Sequence, residues 1–355
     1  MAVFTALDGA ALEHWLDAHE IGALVAMRGI ATGIENTNFF VTTEAHGKKR
    51  DFVLTLFERL TTSELPFYLE LMRHLSAHGV PCPAPVADRN GALFSALAGK
   101  PAALVTRLAG RSALAPGTAH CALIGGALAR LHRQGLVFPL RQDNPRGLAW
   151  RQAAASRVRG HLDTEQRALL DGEVAHQATL WPEAVAHLPT GAIHADLFRD
   201  NALFVKSGPP SSVDDADSDS DSNRAGLAPL RLGGIIDFYF AGTDAWLFDV
   251  AVSANDWCVD LASGAFDAAR LEVLLAAYAT VRPFCAAEAD AWPLALRAAA
   301  LRFWLSRLDD LHRPRHAEML TPHDPAHFER ILMRRREDDA SGALELPDAV
   351  RPARA

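Results

Sequence analysis

Two short apolar segments constrain this chain more than any other feature, because each carries its polar residues at one end. Ile193-His194-Ala195-Asp196-Leu197-Phe198-Arg199-Asp200-Asn201 runs directly into Ala202-Leu203-Phe204-Val205, and Gly234-Ile235-Ile236-Asp237-Phe238 follows later. Both apolar runs have the length and composition of short strands. Asp237 lies 41 positions after Asp196. Between them, the 22 residues 207–228 hold five Asp, one Arg and no aromatic residue. Such a segment cannot bury enough apolar surface to offset its ordering entropy, so it is expected to be a disordered surface insertion. Without it the separation falls to 19, a natural distance for one hairpin. The expected fold therefore brings Asp196, Asn201 and Asp237 to one end of a strand pair, with the acidic insertion as a long turn.

The first hundred residues mix strand and helix. Phe39-Phe40-Val41 and residues 52–57 are short β-rich runs, and Gly47-Lys48-Lys49-Arg50-Asp51 between them reads as a hairpin connection. Ser63 can cap a helix starting at Glu64, with Pro66 in its first turn. Leu65, Tyr68, Leu69, Met72 and Leu75 then recur at helical spacing until Gly79. Pro81, Pro83 and Pro85 form a stiff connector, and residues 92–96 and 102–106 read as two further strands. From residue 119 onward helices dominate. Leu123, Ile124, Ala127, Leu128 and Leu131 form one apolar stripe, and Leu296, Phe303, Trp304 and Leu308 another. The expectation is an α+β, two-lobed fold. Residues 1–107 would form a small antiparallel-sheet lobe with one helix. Residues 108–335 would form a mainly helical lobe carrying the loop around Asp196, and 336–355 a flexible tail.

Composition narrows the function. At 355 residues the chain exceeds one compact core. Its net charge of −8 argues against a nucleic-acid-binding surface. No run approaches the ~18 apolar residues of a membrane span. Residues 1–20 contain Asp8, Glu13 and Asp17 and lack a secretion-signal pattern. Cys82, Cys121, Cys258 and Cys285 are scattered, as in a reduced protein. A cytoplasmic protein is expected, with no nucleic-acid or membrane partner; the oligomeric state is left open.

The residues 194–201 fit His-x-Asp-x-x-x-x-Asn. Phosphoryl transfer requires a carboxylate that orients the attacking hydroxyl and accepts its proton, together with oxygen ligands for a metal on the phosphates. Asp196 suits the first task, and Asn201 with Asp237 the second. Taken singly, each has a plainer reading as a turn residue, an Asx turn or a strand-end partner; the ordered set of three between strands is what points to chemistry. His194 is expected to brace the loop, and Asp249 to anchor the large lobe. Upstream, the stretch from Arg28 to Asn38 holds Gly29 and Gly33 among short polar residues just before a strand, which suits a loop presenting N–H groups to phosphate but also an ordinary turn. Leu104-Val105-Thr106-Arg107-Leu108 ends the small lobe, where a nucleotide base would meet backbone groups.

These residues resemble the aminoglycoside-phosphotransferase and choline-kinase superfamily, which shares the protein-kinase fold. Longer stretches are similar to its bacterial homoserine kinases: Gly33-Ile34-Glu35-Asn36-Thr37-Asn38-Phe39-Phe40-Val41, Val53-Leu54-Thr55-Leu56-Phe57-Glu58, Gly79-Val80-Pro81-Cys82-Pro83-Ala84-Pro85, the 194–201 loop and Asn255-Asp256-Trp257-Cys258. The resemblance implies ATP and L-homoserine as substrates and O-phospho-L-homoserine as product, a step of threonine biosynthesis. It also implies Asp196 as base, Asn201 and Asp237 as Mg2+ ligands, and Gly29, Gly33 and Asn36 in the nucleotide loop, with Thr106 at the hinge. Thr55 stands where such kinases place a third-strand cation, leaving Lys48, Lys49 or Arg28 as substitutes. Charge type nominates Arg199, Arg302 and Arg307 for the substrate carboxylate and Asp200 and Asp256 for its ammonium. The competing expectations are a kinase for another hydroxylated acceptor (an aminoglycoside, choline or methylthioribose) and a non-catalytic kinase-fold binding protein.

Overall fold

Alternating burial builds the small lobe. Strand β1 (Ala23–Gly29) pairs with β2 (Thr37–Ala45), in which Thr37, Phe39, Val41 and Thr43 are buried and the residues between them half-exposed. That period of two marks a strand with one covered face. β2 pairs with β3 (Lys48–Leu56), and β4 (Ser95–Leu97) and β5 (Lys100–Thr106) complete an antiparallel sheet in the order β1-β2-β3-β5-β4. The computed structural model describes residues 5–30, 36–206, 229–313 and 323–353. The expected disordered insertion, 207–228, and Gly33 of the expected nucleotide loop lie outside the described residues.

The β2–β3 connection is tighter than expected. Ala45 pairs with Lys48, so only His46 and Gly47 form the turn, both at positive φ (52° and 72°). That backbone matches the twist of a two-residue hairpin. Lys48, Lys49 and Arg50 extend β3 instead of forming a loop, each paired with a residue of β2.

A helix of the small lobe escaped the sequence reading: α1 (Gly9–Leu16) lays Leu12, Trp15 and Leu16 over Phe39, Val41, Phe52 and Leu54. Its apolar stripe spans barely two turns, too short to stand out by periodicity. On the opposite face, α2 (Leu65–Ala77) packs with Phe57, Ala103 and Val105 in a core that continues into the large lobe. Ser63 is not the residue that closes the turn into α2; the Glu64 carboxylate accepts from the N–H (2.9 Å) and hydroxyl (2.7 Å) of Thr61. Beyond α2, the proline connector runs along β5. Val86 N–H donates to Leu104 O (2.8 Å), Thr106 N–H to Ala84 O (2.9 Å), and Pro85 sits opposite Val105.

The large lobe contains α3 (Thr118–Gly135), α4 (Leu148–Val158), α5 (Thr164–His187), α6 (Trp246–Trp257), α7 (Ala268–Val281), α8 (Ala286–His312) and α9 (Ala326–Ala340). All residues of α6 are buried. α3 and α7 touch backbone to backbone at Gly125, where a Cβ would lie 2.1 Å from Leu274 O. Short strands are inset among the helices: β6 (Arg111–Ser112), β7 (Thr190–Ile193), β8 (Ala202–Lys206), β9 (Leu230–Ile235) and β10 (Gly242–Ala245), paired as β6-β8-β9 and β7-β10. The expected flexible tail is overturned in part. α9 continues to Ala340, and Leu344 and Leu346 beyond it are buried in the main core. Val350 packs against the same core. No helix among the described residues is long and apolar enough to cross a membrane.

Candidate active site

One stripe of α6 grips the loop that follows β7. The Asp249 carboxylate accepts the backbone N–H groups of His194 (2.7 Å) and Ala195 (2.8 Å). One and two turns further along the same face, Ser253 (3.5 Å) and Trp257 Nε1 (2.9 Å) donate to Leu197 O, and Asp256 accepts from the backbone N–H (2.8 Å) and Nε (3.1 Å) of Arg199. Spacings of four, seven and eight put these side chains on one side of a helix. The grip holds Ala195 in the left-handed region, at φ 63°, an arrangement that costs a non-glycine residue of order 1 kcal/mol and needs such support. Burial alone would raise the Asp249 pKa, but the hydrogen bond from His132 and the two loop N–H groups hold it below the ordinary carboxylate value.

His194 ties this loop to the neighbouring strand. Its ring accepts from Asp196 N–H at Nδ1 (3.2 Å) and meets Ile236 O through Nε2 (2.9 Å), so Nε2 carries the proton. Complete burial pushes its pKa down and keeps it neutral. The imidazole therefore braces the loop, as its position in the motif suggested.

Register then sets the geometry of the acidic groups. Ala202 pairs with Ile235, and Ile236 N–H donates to Asn201 O (2.9 Å), so Asn201 and Asp237 emerge at the same end of the β8–β9 hairpin. The ends flanking 207–228, Lys206 and Leu230, pair at the opposite end, about 13 Å along the strand at the usual rise. Asn201 Nδ2 donates to the main-chain oxygen (2.9 Å) and to Oδ2 (3.1 Å) of Asp196. On the other side, Arg302 Nη1 lies 3.3 Å from Asp196 Oδ1, its guanidinium stacked on Phe303. Asp237 takes a left-handed conformation (φ 63°) past the end of β9, and its side chain is exposed to the cleft.

These groups open into a cavity of about 1550 Å³ between the sheet and the helical lobe. Asp196, Asn201, Asp237, Arg199, Asn36 and Thr106 all line it. Gly29 does not; it pairs with Phe39 inside β1, and Ile30, the next residue, takes the place on the wall. Thr106 has its N–H and its hydroxyl engaged with Ala84. Thr55 is buried at the wall and donates to Asn38 Oδ1 (2.7 Å). Neither Lys48, Lys49 nor Arg28 reaches the cavity; on the small-lobe side the lining cations are Arg59 and Arg107, the latter over the Phe40 ring.

Two expectations drawn from charge type fail here. Arg199, expected at the chemistry or on a substrate carboxylate, spends its guanidinium on Asp256 and on the main-chain oxygens of Leu114 and Asp256. Asp256, expected on an ammonium, is the partner that holds it. The two form a buried ion pair that fixes the loop. The sequence reading also missed Arg146, Trp150, Tyr239 and Phe240, all cavity residues. The aromatics immediately after Asp237 were the available signal for Tyr239 and Phe240, and the Asn-Pro-Arg-Gly turn for Arg146, whose N–H is held by Asn144 Oδ1 (2.8 Å).

An antiparallel sheet above a helical lobe, with a braced His-x-Asp loop and a second carboxylate at the end of the adjacent hairpin, defines a protein-kinase-like phosphotransferase. Among solved structures the chain is similar to an amicoumacin kinase in complex with AMP-PNP, Ca2+ and Ami (TM-score 0.62, 15% identity, 96% of this chain and 95% of that one). It is similar also to a choline kinase of Cryptosporidium parvum (TM-score 0.57, 12% identity, 90% and 92%). At such identities these likenesses concern the fold. The model of the phosphotransferase enzyme family matches residues 26–213. Proteins named homoserine kinase from Burkholderia thailandensis and Burkholderia pseudomallei are each 53% identical over 336 residues, 94% of this chain and 96% of theirs. The chain belongs to the phosphotransferase enzyme family, and within it to the homoserine kinases.

Proposed function

We propose that this enzyme transfers the γ-phosphoryl group of ATP to the hydroxyl of L-homoserine, yielding ADP and O-phospho-L-homoserine. The observation that carries the chemistry is the placing of Asp196, Asn201 and Asp237 at one end of the β8–β9 hairpin, facing a single cleft. The acceptor is inferred from relatives 53% identical over nearly the whole chain that bear the name homoserine kinase. The small lobe, to about residue 107, covers the nucleotide with Asn36 on the cleft wall and Thr106 near the base; the large lobe supplies the chemistry and the acceptor pocket.

Asp196 accepts the proton of the homoserine hydroxyl as its oxygen bonds to the γ-phosphorus and the bond to the bridging oxygen of ADP breaks. The Asn201 amide and the Arg302 guanidinium, both against the Asp196 carboxylate, fix its direction. Asp237 and the amide oxygen of Asn201 suit a hard cation such as Mg2+. Among the described residues no three His, Cys, Asp or Glu side chains converge, so the remaining ligands would have to come from nucleotide phosphates and water, as is usual for this ion. Bound there with ATP, the metal would neutralise phosphate charge. Asp200, exposed on the wall of the same cleft, is the nominated carboxylate left for the acceptor's ammonium once Asp256 is paired with Arg199. With ATP as co-substrate the reaction belongs in the cytoplasm, and its product serves threonine synthesis.

The test is ADP release by the purified protein with ATP, Mg2+ and a panel of homoserine, choline, methylthioribose and an aminoglycoside. Homoserine-dependent release that falls about 10³-fold in Asp196→Asn, the range expected for loss of a general base, supports the reading. Release with another acceptor would replace homoserine. Silence with every acceptor would turn the protein into a binding module.

A further inference from the structure

Of the three arginines that charge alone nominated for the acceptor's carboxylate, the structure disposes of two. Arg199 is bound to Asp256, and Arg302 lies against Asp196. Arg307 differs. It is half-buried on the cleft wall, its guanidinium lies over the Phe328 ring (4.6 Å), and Nη1 donates to Asp324 O (3.0 Å). That is its only hydrogen bond among the described residues, and none of their carboxylates comes within ion-pair distance. A guanidinium presents five N–H donors in a planar fork matched to a carboxylate. A half-buried cation with that capacity open to a cavity is short of an anion.

The surroundings reinforce this. His327 and Arg330 of α9 line the same stretch of wall. Burial and the charges of Arg307, Arg330 and Arg199 push the His327 pKa down to about 4, so the imidazole stays neutral beside these arginines. Burial also lowers the Arg307 pKa, while Asp256, Asp324, Asp200 and Asp196 support its charge from beyond contact distance. The spacing fits the acceptor. Arg302, which touches Asp196, and Arg307 both lie in α8, five residues apart, or about 7.5 Å along its axis. In homoserine four bonds separate the hydroxyl oxygen from the carboxylate carbon, roughly 5 Å when extended. An acceptor whose hydroxyl meets Asp196 can thus direct its carboxylate along α8 toward Arg307.

We infer that Arg307 is the specificity residue of the acceptor pocket: its guanidinium binds the α-carboxylate of an amino-acid alcohol and makes the enzyme prefer homoserine to the same amino alcohol without that group. The inference rests on the acceptor proposed above and names the contact that selects it.

The experiment compares homoserine with 3-amino-1-propanol, which retains the hydroxyl and the amine at the same separation and lacks only the carboxylate. kcat and KM are measured for both in the wild-type protein, Arg307→Met and Arg307→Lys, with ATP KM and circular dichroism as controls of the nucleotide site and the fold. The wild type should favour homoserine. In Arg307→Met that preference, as a ratio of kcat/KM values, should fall about 10- to 100-fold, the loss expected of a charge-assisted contact, mainly through homoserine KM. Arg307→Lys should recover part of it, since it restores the charge without the fork. A ratio unchanged in Arg307→Met, or equal losses for both acceptors, overturns the inference while leaving the homoserine reaction standing. A folded wild-type enzyme that ignores homoserine overturns the proposed reaction, and the inference with it.

Discussion

Asp249→Asn is the most informative single change, because it alters one atom at the root of the catalytic loop. The native carboxylate serves three donors: Oδ1 takes Ala195 N–H, and Oδ2 takes His194 N–H and His132 Nε2. An amide has only one oxygen. If its nitrogen replaces Oδ1, it faces Ala195 N–H, donor against donor; if it replaces Oδ2, two donors lose their acceptor. In the milder orientation one buried N–H is left unsatisfied, at about 1–3 kcal/mol, and the two surviving bonds fall from charge-assisted to neutral, at about 1 kcal/mol each. The total is about 3–5 kcal/mol, comparable to breaking a buried ion pair. Part of that should appear as stability. At the usual proportion for a lobe of this size, about 2–4 °C per kcal/mol, Tm should fall by roughly 6 °C or more. The rest should appear as catalysis, because Ala195 is held at φ 63° by the lost contact and Asp196 follows it directly. We expect kcat to fall by at least about 100-fold, with ATP KM changed far less, since the small-lobe wall is untouched. Thermal melts and steady-state kinetics on the same preparation read both effects. A variant that melts within 1–2 °C of wild type and retains kcat within about threefold would show that the Asp249 charge does not hold the loop.

Arg199→Met should cost roughly 3–5 kcal/mol by stranding the buried Asp256 carboxylate, far more than it changes homoserine KM; a large KM effect in a stable variant would return Arg199 to the substrate. Mild acid should weaken the fold through two buried histidines. His132 and His194 are fully buried, and burial depresses their folded-state pKa below 6.5, so the unfolded chain takes up protons first as the pH falls. Stability is therefore fully present above about pH 6.5 and declines below it, by at most ~1.4 kcal/mol per pH unit for each histidine. Asp249, with its pKa lowered, loses its contribution only below the ordinary carboxylate range, whereas Asp244 and Asp256, pushed up mainly by burial, act with the opposite sign above the ordinary carboxylate value. Denaturation midpoints that stay constant from pH 7 to 5 would contradict neutral burial of the two histidines.

The reach of the sequence can be measured on particular residues. Asp196, Asn201 and Asp237 could be read as a set because they fall in order at the ends of two apolar runs, and subtracting the acidic stretch left a hairpin's spacing. The α+β architecture followed from the change of hydrophobic period between the two halves. Arg199 and Asp256 could not be assigned correctly, because charge type does not reveal that a helix 57 residues later brings the two together. Arg302 and Arg307 were equivalent in sequence; only tertiary packing put one against Asp196 and left the other facing the cleft. The His46–Gly47 turn was obscured by three cationic residues that look like a loop and are strand. α1 was lost to its brevity, and the docking of Leu344 and Leu346 to the charge around them.

The proline connector beside β5 bears on how molecules of this enzyme meet one another. β4 covers only the first part of β5, and residues 84–86 lie along the remainder. Ala84 and Val86 turn their N–H groups inward, to the Thr106 hydroxyl and Leu104 O. Pro85, between them, has no N–H to turn outward. Along this part of β5 the border of the sheet thus offers an incoming strand no donor at Pro85. A row of open N–H and C=O groups invites another chain to extend the sheet. Here the small lobe carries its own barrier against such growth, built from a residue that also stiffens the connection from α2 to β4.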